Sequence, residues 1–276
     1  MTGRTPHALR ASLRYEFRMQ VRKRSVWIVP ALTVLLFLLI GGSLLRDLFD
    51  PGERPAEART AVVGLAVQVH GLLTIGFGCL LADRLVRDDR LRVAPILDAT
   101  PARPGARLLG KYLGAGAATA VPILVVYFGL AAAYAVHTGA PHALGWALAT
   151  CAVVIVPGLL FVAAVALAVP LVMPAPLFRV LFVGYWLWGN AVPPDAMPTL
   201  SGTLLHPLGG YPLTALLGFH GIDDEDSLAG PVTGATLNFL RPDPTPATAW
   251  LSIAVLLALA AAALAGGHAL RARRAR

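Results

Sequence analysis

The sequence predicts an all-α, polytopic membrane protein with six transmembrane helices and both termini in the cytoplasm. Hydrophobic residues make up 57% of its 276 residues and charged residues only 14%, whereas soluble domains are about a quarter charged. The apolar residues are gathered into long uncharged runs, and a helix needs about 20 such residues to cross the hydrocarbon core. The basic residues are concentrated on one side of these runs, and this distribution predicts the orientation.

The predicted spans follow the uncharged runs, at 26–45, 61–82, 112–136, 144–172, 175–192 and 247–269. The first run is longer than the ~7–15 apolar residues of a signal peptide, so we expect a retained span. Pro170, Pro174 and Pro176 predict a turn between the fourth and fifth spans, with Arg179 reaching the lipid headgroups. One longer kinked helix is the alternative for this part of the chain.

Basic residues decide the orientation. Nineteen lysines and arginines lie in the N-terminal segment, in the 83–111 loop, at Arg179 and in the 271–276 tail, and four lie on the other side. Because basic loops stay in the cytoplasm, both termini are predicted to be cytoplasmic. The net charge of +8 then reflects orientation and attraction to anionic membrane lipids. It does not indicate nucleic-acid binding, because no basic module with interleaved aromatic residues is present.

Three domains follow from this topology. They are a basic amphipathic segment at 1–25, one transmembrane domain at 26–270 and a basic tail at 271–276. Residues 193–246, called the outer segment below, form the one long extracytoplasmic stretch. Within it, 204–220 is apolar enough to lie in the membrane interface or to re-enter the bundle, whereas a seventh span would place the basic tail outside. The acidic residues at 222–227 predict a solvated turn, because the spaced ligands of a calcium loop are absent.

Residues 105–112, "GARLLGKY", come close to a phosphate-binding loop. Gly105, Gly110 and Lys111 have the spacing of that motif, but Tyr112 replaces the Ser or Thr that binds magnesium. No buried strand precedes the stretch, so we expect Lys111 to mark the cytoplasmic start of span three, with Tyr112 at the membrane interface. Gly110 and Gly114 form a G-x-x-x-G pattern, which predicts either a close helix contact or a loosely packed helix start.

Polar residues inside the predicted membrane are few. Gln68 and His70 lie in the middle of span two, where polar side chains are costly and often functional. His70 is interpreted as hydrogen-bonded between helices, with a contact to a substrate path as the alternative. A haem would need a second histidine at similar depth, and none is evident. Known catalytic and metal-binding motifs are absent from the sequence, so no catalytic residue, metal site or cofactor is predicted in this chain.

The 83–111 loop is the most informative stretch. It begins as a charged, helix-compatible segment at 83–98 and turns at Thr100 and Pro101. Such a helix between two spans suits docking of a soluble partner, and a solvated linker is the alternative. The "TP" turn, the charged residues at 87–90, the "GKYL" at 110–113 and the basic segment "LRYEFRMQVRKRSVW" at 13–27 resemble the permease subunits of type 2 ABC exporters. In that family the basic segment is an amphipathic elbow helix.

The resemblance implies a permease of the bacterial plasma (inner) membrane that pairs with a second permease chain and with separate ATPase subunits, which bind ATP and magnesium. It also implies roles for two sets of residues. The loop that couples to the ATPase comprises Arg84, Arg87, Asp88, Asp89, Arg90, Arg92 and Asp98, and the elbow helix carries Arg14, Glu16, Arg18 and Arg22. Alternatives to the permease are a membrane-embedded enzyme or haem/redox subunit built on His70, and a non-transporting anchor or sensor.

Overall fold

The computed structural model describes residues 4–41, 57–87, 104–220 and 228–274. The longer elements within these residues are all helices. They are α1 (Arg4–Val21), α2 (Arg24–Gly41), α3 (Ala58–Leu81), α4 (Pro104–Thr138), α5 (Ala143–Leu171), α6 (Ala175–Ala191) and α7 (Pro246–Arg274). In the described part of the chain, β-type backbone pairing is limited to one isolated bridge, between Gly202 and Ala229. The all-helical class predicted from composition is therefore confirmed.

Four helices, α3, α4, α5 and α7, are long and apolar enough to cross a membrane, by length and composition. They coincide with the predicted second, third, fourth and sixth spans. The predicted first span falls on α2, of which Arg24–Leu35 forms a shorter apolar helix. The predicted fifth span falls on α6, which has 17 residues. The structure thus describes a helical membrane-type protein, and the number of six spans stays a prediction.

The prolines after α5 separate it from α6. The last turn of α5 tightens at Val169–Leu171, and Pro174 has an extended backbone (φ −61°, ψ 138°) before α6 begins at Ala175. A proline cannot donate the backbone hydrogen bond that would continue a helix, so the chain turns here. The predicted turn is confirmed, and the alternative of one kinked helix is wrong. Inside α5, a π-helical turn at Cys151–Ile155 precedes Pro157.

α3 lies at the centre of the core. Its buried residues Val62, Leu65, Leu73 and Phe77 belong to one hydrophobic cluster, which also receives side chains from α4, α5, α6 and α7. α1 lies outside this cluster and packs along α4. The two helices meet at Gly110, close to Ser12, and again at Thr119, which accepts a hydrogen bond from Gln20. Since both pairs advance in the same direction, α1 runs alongside α4 over this stretch.

The described part of the outer segment consists of turns and short helical turns rather than a long helix. Leu213, Leu217 and Phe219 pack against Val63 of α3 and Val154 of α5. The hydroxyl of Ser252 in α7 donates to the Leu204 carbonyl oxygen (2.8 Å). The outer segment therefore folds back onto the bundle, and residues 204–220 do not form a seventh candidate span.

Candidate functional site

A buried carboxylate of α1 joins the two ends of the 83–111 loop. Arg84, just after α3, donates through Nη2 to Oε2 of Glu16 at 2.5 Å. Nζ of Lys111, in α4, lies 3.7 Å from Oε1 of the same Glu16. The side chains of Arg84 and Glu16 are only 5% and 7% exposed. We call Glu16, Asp83, Arg84, Lys111 and Arg179 the charged junction.

Two glycines of α4 let α1 come close enough for these contacts. A Cβ atom placed on Gly110 would lie 2.6 Å from Cβ and Oγ of Ser12. A Cβ atom on Gly114 would lie 2.6 Å from the Leu13 carbonyl oxygen and 2.9 Å from Cβ of Glu16. Only glycine permits this approach of two backbones. The G-x-x-x-G pattern thus forms a close helix contact within the chain.

The charged junction also reaches α6 and α7. Arg179 of α6 forms an ion pair with Asp83 through Nη2 and donates through Nε to the Cys79 carbonyl oxygen (3.2 Å). Arg271 of α7 donates to the Leu85 carbonyl oxygen at 2.6 Å. Arg179 thus has a carboxylate of the same chain within its reach, and its extension to the lipid headgroups stays a prediction. Residues 79–85 are held by α1, α4, α6 and α7 together.

The electrostatic field around the charged junction is positive. The pKa of Lys23, between α1 and α2, is lowered to about 8. Burial is the largest cause, and the charges of Arg84 and Arg87 add to it, while Glu16 and Asp83 act in the opposite direction. Both carboxylates therefore stabilise an arrangement of cations that would otherwise repel one another.

Other predicted coupling and elbow residues are placed as follows. Arg14 and Arg18 of α1 are exposed, and so is Arg22, which directly follows the helix. Arg87 is exposed at the end of the described part of the loop. Asp88, Asp89, Arg90, Arg92 and Asp98 lie outside the described residues. The exposed cations and the buried Glu16 give α1 two distinct faces, one charged and one packed against the protein.

Tyr112 is packed inside the protein. It is 7% exposed, and its hydroxyl donates to the Leu160 carbonyl oxygen of α5 at 3.0 Å. α4 begins at Pro104, seven residues before Lys111, and the location of Tyr112 at the membrane interface stays a prediction. The same helix start makes residues 105–112 helical and excludes a phosphate-binding loop.

His70 is fully buried between helices. Its Nδ1 is 3.0 Å from the Thr74 hydroxyl oxygen, and its ring meets the edge of Trp186 with 6.0 Å between ring centroids. A Cβ on Gly158 of α5 would fall 2.4 Å from Nε2. Trp186 itself donates to the Gly71 carbonyl oxygen at 2.7 Å. Because Thr74 belongs to the same helix as His70, their hydrogen bond lies within α3 and not between helices as predicted, and Nε2 of His70 has no hydrogen-bond partner in the described structure. Gln68 is partly exposed, and a role of either residue in a substrate path stays a prediction.

A second histidine lies near His70, and no pattern in the sequence indicates it. His206 belongs to the outer segment, and it is 136 positions from His70 along the chain. Only the folding back of that segment brings the two together. Among the described residues, no group of three or more His, Cys, Asp or Glu side chains could hold a metal ion.

No protein-family model matches this chain, and neither does any curated protein or solved structure.

Proposed function

We propose that this chain is the permease subunit of a type 2 ABC exporter and has no ATPase site of its own. In this proposal two permease chains, identical or different, pair with two ATPase subunits. The chain crosses the bacterial inner membrane six times with both termini in the cytoplasm, and α1 is the elbow helix. The substrate path lies between the two permease chains.

One observation carries the proposal. Both ends of the loop predicted to contact the ATPase meet the carboxylate of Glu16, on the helix predicted to be the elbow. A solvated linker does not require a buried ion pair where it joins the helices, because a buried charge costs several kcal/mol to desolvate. A loop that has to transmit a displacement does need a rigid attachment to the helices it moves.

The contacts suggest how the displacement would spread. Movement of the loop towards the membrane acts on Arg84 and Lys111, and through Glu16 on α1. Asp83 passes the same movement to α6 through Arg179, and the Leu85 carbonyl passes it to α7 through Arg271. Closure of the ATPase subunits around ATP would thereby shift four helices as one body and alter the path between the two permease chains.

The exposed apolar residues suit the membrane setting of this proposal. Val125 and Val136 of α4 are 57% and 85% exposed, and Val180 of α6 is 72% exposed. On a soluble monomer such surfaces would be unfavourable. Facing lipid or a second permease chain, they are stabilised by packing.

The test is co-purification of the chain with ATPase subunits, followed by reversal of charge in the loop. We expect Arg87→Glu, alone or with Asp88→Arg and Arg90→Glu, to weaken the complex and abolish stimulation of ATP hydrolysis. Arg59→Glu is the matched control, because Arg59 lies at the opposite end of α3 and already pairs with Glu57. Retained binding and stimulation after reversal would contradict the coupling role. ATP hydrolysis by the purified chain alone would contradict the whole proposal.

The proximity of His70 and His206 favours the alternative of a haem or redox subunit. Against it, both ring nitrogens of His70 are enclosed, Nδ1 by the Thr74 hydroxyl and Nε2 by the backbone of Gly158. An absorbance band of haem in the purified protein would decide for this alternative.

A further inference from the structure

Arg241 is a buried cation for which the described residues provide no counter-charge. The residue is 1% exposed and lies at the end of the outer segment. Its Nε and Nη2 donate to the Ser201 carbonyl oxygen (3.2 and 2.9 Å), and Nη2 also donates to that of Thr199 (3.0 Å). Its Nη1 is buried and has no hydrogen-bond partner. No ion pair joins Arg241 to a carboxylate of the residues that the structure describes.

His206 is close enough to this guanidinium for the charge of Arg241 to lower the pKa of its imidazole, and it is also unsatisfied. It is 4% exposed, and neither of its ring nitrogens has a hydrogen-bond partner. Burial lowers its pKa to about 4, and His70 and Arg241 contribute in the same direction. The imidazole is therefore neutral at pH 7 and carries one N–H donor. The backbone packs tightly around it, since a Cβ on Gly210 would lie 2.8 Å from Nδ1 of His206 and 2.2 Å from the Leu228 carbonyl oxygen.

Buried N–H donors without acceptors destabilise the folded chain. Buried polar atoms in proteins are nearly always hydrogen-bonded, and each unsatisfied one costs about 1–3 kcal/mol. An uncompensated buried charge costs more. Carbonyl oxygens already solvate one side of the Arg241 guanidinium, but they carry no net charge. Among the described residues, no carboxylate supplies the negative charge that this cation and its N–H groups lack.

We propose that Arg241 and His206 bind a small monovalent anion, a halide or a carboxylate group, between the outer segment and the helices. Nη1 of Arg241 supplies the charge and N–H donors, and the neutral imidazole supplies a further N–H. A divalent anion would bring a second negative charge with no cation to balance it. A water molecule would satisfy the donors and leave the charge uncompensated. This site is separate from the charged junction and does not depend on the proposed function.

The test measures the thermal unfolding midpoint of the full chain in detergent, at constant ionic strength. Sodium chloride, sodium bromide and sodium acetate each replace sodium gluconate, whose anion is too large for so closely packed a site. We expect the midpoint to rise and saturate with chloride or bromide if the ligand is a halide, and with acetate if it is a carboxylate. His206→Leu, which has no N–H donor, should weaken the apparent affinity about tenfold or more, as expected for loss of a hydrogen bond to a charged group.

Arg241→Gln should abolish the anion dependence, whereas Arg59→Gln, the matched control on another arginine, should leave it unchanged. If Arg241→Gln does not fold, the His206→Leu variant and a bromide peak in anomalous diffraction beside Arg241 still decide the matter. An anion-independent midpoint in the unmodified chain would overturn the proposal. So would an anion dependence that appears only after the acidic residues at 222–227 are neutralised, since one of those carboxylates would then be the counter-ion.

Discussion

Replacing Glu16 by glutamine tests the charged junction most directly. Glutamine keeps the shape of the side chain and one oxygen acceptor, so that the change removes little besides the negative charge. Arg84 would then remain 5% exposed with no carboxylate within reach in the described structure. Breaking a buried ion pair from one side typically costs about 3–5 kcal/mol, because the remaining charge is uncompensated.

The contact with Lys111 adds to this loss. At a separation of about 4 Å and an effective dielectric constant near 20, the attraction between two unit charges is about 4 kcal/mol before hydration is counted. Lys111 is 12% exposed, so part of that energy returns as hydration of the ammonium group. We therefore expect a total loss near the upper end of the range, about 4–5 kcal/mol.

The assay is the free energy of unfolding in mixed micelles, measured together with stimulation of ATP hydrolysis after reconstitution with ATPase subunits. Arg18→Gln, on the exposed face of α1, is the matched control and should change stability by less than about 0.5 kcal/mol. The double variant Glu16→Leu with Arg84→Met removes both charges and should recover most of the stability but not the stimulation. A loss below about 1 kcal/mol for Glu16→Gln, or one equal to that of Arg18→Gln, would refute the reasoning.

Three further predictions concern the packing of the helices and the pH dependence of stability. Gly114→Ala should destabilise the chain by about 1–3 kcal/mol, because the new Cβ would lie 2.6 Å from a backbone carbonyl oxygen of α1. Gly129→Ala on the same helix is the control, since its Cβ would lie in open space and the change should be near neutral. Equal unfolding free energies of the two variants would contradict the close contact. Gly158→Ala should increase proteolysis of the outer segment, since its Cβ would meet the Pro207 carbonyl oxygen at 2.9 Å, with Gly145→Ala of the same span as the unaffected control. Lys23→Met should stabilise the chain at pH 7: the folded-state pKa of about 8 lies below the ordinary 10.5, so the folded chain binds fewer protons than the unfolded chain between these values. The gain should be full below pH 8 and disappear by about pH 11, and a gain that persists there would contradict the assignment.

The helices could be predicted from the sequence because each long apolar run carries its own signal. The prolines at 170 and 174 likewise mark the turn after α5, since the absence of an N–H group is a local property. The contacts that define the charged junction are not local. The sequence marks Gly110 and Gly114 as a place of close approach but not the partner, and the partner is the N-terminal helix rather than another span.

The burial of individual polar residues could not be predicted from the sequence either. Tyr112 reads as an interfacial residue because it follows a lysine at the edge of an apolar run, yet its hydroxyl reaches a carbonyl of α5. His206 and Arg241 stand in a stretch rich in proline and glycine that has no periodic pattern. Their proximity depends on how the outer segment folds back, which no local pattern encodes.

The charged junction also has a consequence for biosynthesis. Glu16 leaves the ribosome 68 residues before Arg84 and 95 before Lys111, and α1 has no glycine-lined surface to pack on until α4 is made. At about 5–20 residues per second, α1 waits roughly 5–20 s for its partners. During that interval its carboxylate must remain hydrated, outside the membrane. α1 is thus synthesised well before α4 but can pack in its final place only after α4 has been made.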